Sequence, residues 1–345
     1  LVGGENLASA NGTVQAMTVA GLLAATLLFA SLFEALLPDT DALGRAEILP
    51  MIAPLGWVLV TFALLEWLLT YRLVEVAHTA STDSFQWRRY LGLQYLRRNL
   101  TNLRRQRGIW LPIIGLASFW AVSQVLVSAF PAFAKQSLGI HSAALVQVIL
   151  VCGALGIIVG SLLAGRASRN YIEIGLIPLG ALGIAVSAAS IPALHNVFDL
   201  AMVFLAFGIM GGLFIVPLNA LLQFHASPSK AGTIMAGNNW IQAMVMLLAL
   251  ALTAVFAVLG VDSVGLLYGV IGVTIIGIAY TVRMLPHSMA RLIAAVVLKR
   301  RYRVQVLGFE NLPAAGGALL LGNHISWIDW ALVQMACPRP VRFVM

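Results

Sequence analysis

Charge is what this chain has least of. Of 345 residues, 21 are Lys or Arg and 13 are Asp or Glu, 10% in all, against 60% hydrophobic. A soluble globular domain carries about 25% charged residues. The shortage excludes a water-soluble globule and leaves a polytopic membrane protein. Cysteine is almost absent too. Cys152 lies in an apolar run and Cys337 near the end of the sequence. Two such thiols set neither a disulfide framework nor a metal-ligand spacing, so no metal site is expected. The chain opens at Leu1 without a signal-peptide pattern, and a new pattern begins shortly before Met345. The expectation is an internal fragment of a longer protein.

Apolar runs are what the sequence has in abundance. A bilayer core of about 30 Å needs roughly 20 apolar residues of helix. Eight segments qualify, near 14–37, 48–70, 109–133, 143–165, 171–191, 199–223, 233–259 and 263–283. Internal prolines such as Pro112 and Pro217 are tolerated there, because neighbouring helices re-satisfy the backbone. Basic residues alternate between the loops. Eight arginines from Arg72 to Arg107 separate segments two and three. Arg166 and Arg169 follow segment four, Lys230 follows six, and Arg283 to Arg303 follow eight; the other loops hold only Arg45 and Lys135. By the positive-inside rule every second loop is cytoplasmic, as is everything after segment eight. The net charge of +8 is then a membrane signal, attracted to anionic lipid. No nucleic-acid partner is expected.

Within 76–108 the pattern changes. Leu93, Leu96, Leu100 and Leu103 recur at spacings of three and four, with Trp87 and Tyr90. An amphipathic helix on the membrane face is expected, with a solvated linker as the plainer alternative.

Polar groups inside a membrane are costly and are candidates for function. The richest set is Asn219, Gln223, Asn238, Asn239 and Gln242, with His225 beside them. Hydrogen bonding between helices is the competing explanation for each amide. Acids are scarcer. Glu34 and Glu66 lie near the ends of segments one and two, and Glu173 opens segment five. Glu66 is the best candidate for proton or ion coupling, although it lies close enough to the segment's end to reach water or Arg72.

Two bundles joined by a long basic loop resemble the major facilitator superfamily, built as six plus six helices. On that resemblance segments one and two are its fifth and sixth helices. Val216-Pro217-Leu218-Asn219-Ala220-Leu221-Leu222-Gln223 and Ala236-Gly237-Asn238-Asn239-Trp240-Ile241-Gln242 resemble its lysophospholipid transporter family, as does Glu5-Asn6-Leu7-Ala8-Ser9-Ala10-Asn11-Gly12. Gly115 to Trp120 is a weaker match. The resemblance implies flipping of lysophospholipid across a bacterial inner membrane and makes the five amides substrate-binding candidates. It also implies a nearby or fused acyltransferase. The scarcity of membrane acids fits a lipid flippase better than a strongly proton-driven pump.

Past the last segment, Arg303 to Pro313 alternates like a strand, and Ala318 to Leu321 is an apolar run framed by glycines. A second strand is expected there. It leads into Asn323-His324-Ile325-Ser326-Trp327-Ile328-Asp329. A His can act as general base near neutral pH, and an Asp five residues on can hold its imidazole. The motif resembles the glycerolipid acyltransferase family, whose first signature is N-H-x-S-x-x-D. That implies His324 and Asp329 as catalytic residues, with the lysolipid hydroxyl as the nucleophile. It also implies acyl-carrier protein or acyl-CoA as acyl donor, and no bound cofactor. The family's later motifs lie beyond Met345, so this chain alone is expected to be inactive in acyl transfer.

The fold expected is an all-α polytopic membrane protein, a partial major facilitator fold of about eight transmembrane helices, followed by the start of an α/β acyltransferase domain. Its parts are 1–75, the end of a first bundle; 76–108, the basic linker; 109–285, a six-helix bundle; and 286–345, the acyltransferase start. Two other functional readings stay open: a general exporter of hydrophobic compounds, and an enzyme for which the helices are mainly an anchor.

Overall fold

The computed structural model of the chain describes residues 6–36, 45–72, 86–168, 171–227, 230–299, 301–302, 316–337 and 341–343. They form helices α1 (Leu7–Leu36), α2 (Arg45–Thr70), α3 (Trp87–Leu91), α4 (Gln94–Arg105), α5 (Arg107–Leu138) and α6 (Ala143–Ala167). These are followed by α7 (Leu176–Ser190), α8 (Val197–His225), α9 (Ala231–Val258), α10 (Ser263–Met284), α11 (Pro286–Lys299) and α12 (Asp329–Ala336). There is no strand among the described residues. Among the described residues, eight helices are long and apolar enough to cross a membrane, and they coincide with the eight expected segments. The chain divides into two compact units, Met17–Arg98 and Leu1–Ala16 with Asn99–Met345.

The larger unit is built on α8. Its contact with α6 is made of glycine. A Cβ on Gly156 would collide with Leu205 O, and one on Gly160 with Ile209 O. A Cβ on Gly208 would strike Gly153 O, and one on Gly212 the backbone of Gly160 and Ser161. Lipid tails are as apolar as leucine, so helices in a bilayer gain by close backbone packing rather than by leaving water. On its other side α8 meets α5 through aromatic rings. Phe119 stacks on Phe207 at 6.1 Å between centroids, and Phe130 meets Phe204 edge-on at 4.6 Å. The first turns of α1 join the same unit: Gly12 packs on Ser161 and Gly165 of α6, again backbone against backbone.

Helix ends follow their sequences. Ser142, Asn196 and Asp262 cap α6, α8 and α10, accepting from the amides of Leu145, Phe198 and Gly265. Each satisfies one of the donors that a helix start leaves open. α5 stops at Gly139, which takes the left-handed conformation (φ 64°) open to glycine. Helix α7 starts at Leu176, later than the expected 171, because Tyr171 to Gly175 are engaged in a buried cluster described below.

The linker carries the expected amphipathic helix as α4, with Leu96 and Leu100 half-buried and Leu103 buried. Helix α3 precedes it across a break at Gly92–Leu93, where Leu93 is left-handed (φ 55°). Leu93 is exposed, while Leu103 is fully buried against Gly237 of α9. Asn99 donates to Thr233 O at 3.0 Å. From Asn99 onward, α4 packs on α9. Residues 76–85 of that expectation lie outside the described residues. In the smaller unit, α2 is exposed along most of its length, with Trp57, Phe62 and Trp67 all more than half exposed.

The α6–α8 contact gives a direct test. Gly208→Leu should lower stability by about 2 kcal/mol or more, as overpacking does, in thermal unfolding in detergent. Gly269→Ala, where a Cβ meets open space, should leave it unchanged or slightly raised. Equal tolerance of the two would remove the close-approach account.

Candidate functional site

Three polar or cavity features stand out in the larger unit. The first is the loop before α12. Asp329 opens that helix, and its Oδ2 accepts from the amides of Ile325 at 2.7 Å and Ser326 at 2.8 Å. His324 Nδ1 lies 3.3 Å from the same oxygen. The Ser326 and Ile325 N–H groups, with the imidazole beside them, hold the Asp329 carboxyl below its ordinary range. The pair has the expected geometry. With Nδ1 turned to the carboxylate, Nε2 faces outward on a side chain that is 70% exposed. That nitrogen is free to take a proton from a hydroxyl.

The expected strand over 318–321 is not formed. Residues 317–326 have no regular secondary structure, and Leu319 and Leu321 are 84% and 88% exposed. A strand needs a neighbour's N–H and C=O groups, and no described residue forms one. The other expected strand, Arg303 to Pro313, lies outside the described residues.

The second feature was not foreseen. Arg291 on α11 pairs with Glu173 at 2.7 Å, with both side chains under 10% exposed. Glu173 also accepts from the Tyr171 hydroxyl at 2.9 Å and from Gly175 N at 3.2 Å. The Arg291 guanidinium lies over the Tyr171 ring and donates its other arm to Cys337 O, just past α12, at 3.4 Å. Burial and the Glu173 carboxylate push the Tyr171 phenol up to about 12. A Cβ on Gly175 would meet Ser288 O and Leu292 of α11, so glycine there lets α11 dock. One arginine thus ties the start of α7 to α11 and to the segment that carries His324. The only sequence signal was a lone acid at the head of an apolar segment.

The third feature is a cavity of about 320 Å³ between α5, α7, α8 and α10. Phe119, Ile184, Phe214, Leu218 and Ile278 form its apolar walls, and Arg107 and His225 lie at one end. None of the five expected transport amides lines it. Gln223 instead makes a reciprocal pair with Asn11 of α1, at 2.9 and 3.0 Å. On α9, Gln242 donates to Asn238 at 2.8 Å, and Asn238 donates to Asn239 at 3.2 Å. Asn219 is half-buried and has no hydrogen-bond partner among the described residues. Glu66 is exposed on α2 in the smaller unit, without an ion pair to Arg72 or any other described residue. The side chain of Glu34 lies outside the described residues.

Two measurements follow from these geometries. Breaking a buried pair strands a charge, which costs about 3–5 kcal/mol. Glu173→Ala should therefore destabilise the protein by about that much, and adding Arg291→Met should recover most of the loss. A double variant no more stable than the single would show that the pair carries no such load. For Asp329, a depressed carboxyl means that its contribution is complete above the unfolded value of about 3.9 and fades as pH falls through the lower folded value. A ¹³C titration of its carboxyl should give a midpoint below 3.9, and a midpoint at or above that would contradict the capped loop.

Comparison with known proteins fits these features. The family model described as Major Facilitator Superfamily matches residues 1–250, and that described as Acyltransferase matches residues 303–345. The lysophospholipid transporter LplT of Yersinia enterocolitica is 28% identical over 76% of this chain and 61% of its own length. That of Photorhabdus laumondii is 28% identical over 76% and 62%. That of Salmonella arizonae is 32% identical over 46% of this chain and 40% of its own length. The chain therefore spans less than two thirds of the length of these curated relatives. No solved structure matches it. Eight apolar helices, glycine-mediated packing and a family match over residues 1–250 agree: the chain belongs to the major facilitator superfamily, and residues 303–345, behind α10, match the acyltransferase model.

Proposed function

We propose that this chain is part of a lysophospholipid transporter joined to a glycerolipid acyltransferase, which flips lysolipid across a bacterial inner membrane and returns it to diacyl form. Residues 1–75 and 109–285 belong to the transporter, 76–108 link its two halves, and 286–345 begin the enzyme. The basic loops and everything after α10 face the cytoplasm, by the positive-inside rule. The relatives named lysophospholipid transporters support the substrate class.

The observation that carries the coupled reading is Arg291. Its ion pair to Glu173 and its bond to Cys337 O hold the His324 segment against the transporter bundle. An enzyme merely trailing on a linker needs no such attachment. Lysolipid arriving in the inner leaflet then meets His324 at high effective concentration. The Nε2 of His324 takes the proton of the lysolipid hydroxyl as that oxygen attacks the acyl thioester. Asp329 steadies the imidazolium that results. The donor is acyl-carrier protein or acyl-CoA. In the membrane, Asn219 is the amide free to bond a headgroup, whereas Gln223, Asn238, Asn239 and Gln242 must exchange an existing partner to do so. Glu66 is retained as the candidate for ion coupling.

The test uses vesicles holding the whole protein of which this chain is part, with labelled lysophosphatidylethanolamine outside and acyl donor inside. The label should reach the inner leaflet and become diacyl lipid. His324→Ala should cut acylation by about 10²–10⁴-fold, as loss of a general base does, and leave translocation unchanged. Failure of the unaltered protein to translocate the label would sink the transporter half. Acylation insensitive to His324→Ala would sink the assigned chemistry.

A further inference from the structure

The cavity between α5, α7, α8 and α10 is chemically lopsided. It follows α5 from Arg107 to Val122, about 22 Å at 1.5 Å per residue. Its walls over most of that length are hydrocarbon, and at one end its lining residues Arg107, Gly108 and His225 are exposed. No Asp or Glu is among its lining residues. Arg107 has no ion-pair partner among the described residues. His225 stands beside it. The imidazole is laid against Gly108, close enough that a Cβ there would meet Cδ2 at 2.8 Å and Nε2 at 3.0 Å. Its Nδ1 is engaged with Leu221 O at 2.8 Å, which leaves Nε2 for another partner. A long apolar slot with an unneutralised guanidinium and an imidazole at its mouth matches a ligand with one alkyl chain and an anionic head. Few polar groups line it for a sugar, since the Thr274 and Thr281 hydroxyls bond their own helix, and a cationic amphiphile would meet Arg107.

We propose that this cavity is a binding site for a single-chain phosphate amphiphile, its acyl chain along α5 and its phosphate on Arg107 and His225. Arg107 supplies the fixed charge and can hold two phosphate oxygens at once. As imidazolium, His225 completes the contact by donating from Nε2, its Nδ1–H held by Leu221 O and its ring laid against Gly108. The site is distinct from the amides of α8 and α9, none of which lines it. The proposal rests on the lysophospholipid reading above and adds where such a molecule is held.

Binding to the protein in phosphatidylcholine nanodiscs tests this. Palmitoyl-lysophosphatidylethanolamine is compared with monopalmitoylglycerol, which has the same chain and no phosphate. Arg107→Gln with His225→Gln should weaken the phospholipid at least about tenfold, as loss of charge-assisted bonds implies. Monopalmitoylglycerol should change less than about twofold in the same variant. Gly277→Phe, placed where a Cβ meets open space on the cavity wall, should weaken both ligands. The proposal is overturned if lysophosphatidylethanolamine binds the double variant as well as the unaltered protein, or if Gly277→Phe changes neither ligand. Arg107→Lys, which keeps the charge, should recover part of the phospholipid affinity, and no recovery would count against a phosphate contact. Failure of the transport reading shows itself separately, as absence of translocation by the unaltered protein whatever these affinities are.

Discussion

The backbone contact between α6 and α8 is the constraint on which the larger unit depends. Four glycines, Gly156 and Gly160 against Gly208 and Gly212, let two long helices touch with no side chain between them. Once α8 is fixed there, its remaining faces are fixed too. Phe204, Phe207 and Phe214 meet the rings of α5. Gln223 reaches Asn11 on α1. Leu218, Leu221 and His225 turn to the cavity. A shift of α8 by one side-chain diameter would undo all three together, since packed interiors do not deform continuously.

Arg291 plays the corresponding part at the bundle's end. Two charges removed from water are favourable only when every remaining lone pair and proton is satisfied. Here the carboxylate of Glu173 has the guanidinium, a phenol and a backbone amide, and the guanidinium has an aromatic face and a carbonyl besides. A cluster so fully bonded fixes one orientation of α11 on α7. The segment after α12 inherits that orientation through Cys337 O. The bundle and the α12 segment are thus attached by a directional joint rather than by a greasy patch that tolerates sliding.

Much of this was legible in the sequence, and the remainder was hidden for a physical reason. Helix positions followed from run length, because a bilayer sets a minimum span. The His324–Asp329 geometry followed from spacing, because both residues lie in one short loop. Contacts between distant residues leave no such trace. Glu173 and Arg291 are 118 positions apart, and Asn11 and Gln223 are 212 apart; nothing in either local pattern names the other. The cavity is harder still, since four helices supply its walls. The amides were recognised as unusual, and the i, i+4 spacing of Asn238 and Gln242 put them on one helix face, where Gln242 does bond Asn238. The strand over 318–321 was expected from an apolar run alone. Apolarity marks what wants a partner; it does not provide one.

Scarcity of charge also makes the use of each acid informative. Among the described residues, Asp262 caps α10, Glu173 neutralises Arg291, and Asp329 caps a loop and orients His324. Asp199 sits in the first turn of α8, where the helix dipole favours it. These acids have structural positions to hold, and they leave Arg98, Arg104, Arg105 and Arg107 without carboxylate partners among the described residues. Uncompensated cations at one end of an apolar bundle draw anions to that end. In a membrane the anions at hand are lipid phosphates. The same shortage that rules out a soluble globule leaves Arg107, in the cavity lining, without an acid to quench it, which is the condition the proposed phosphate contact requires.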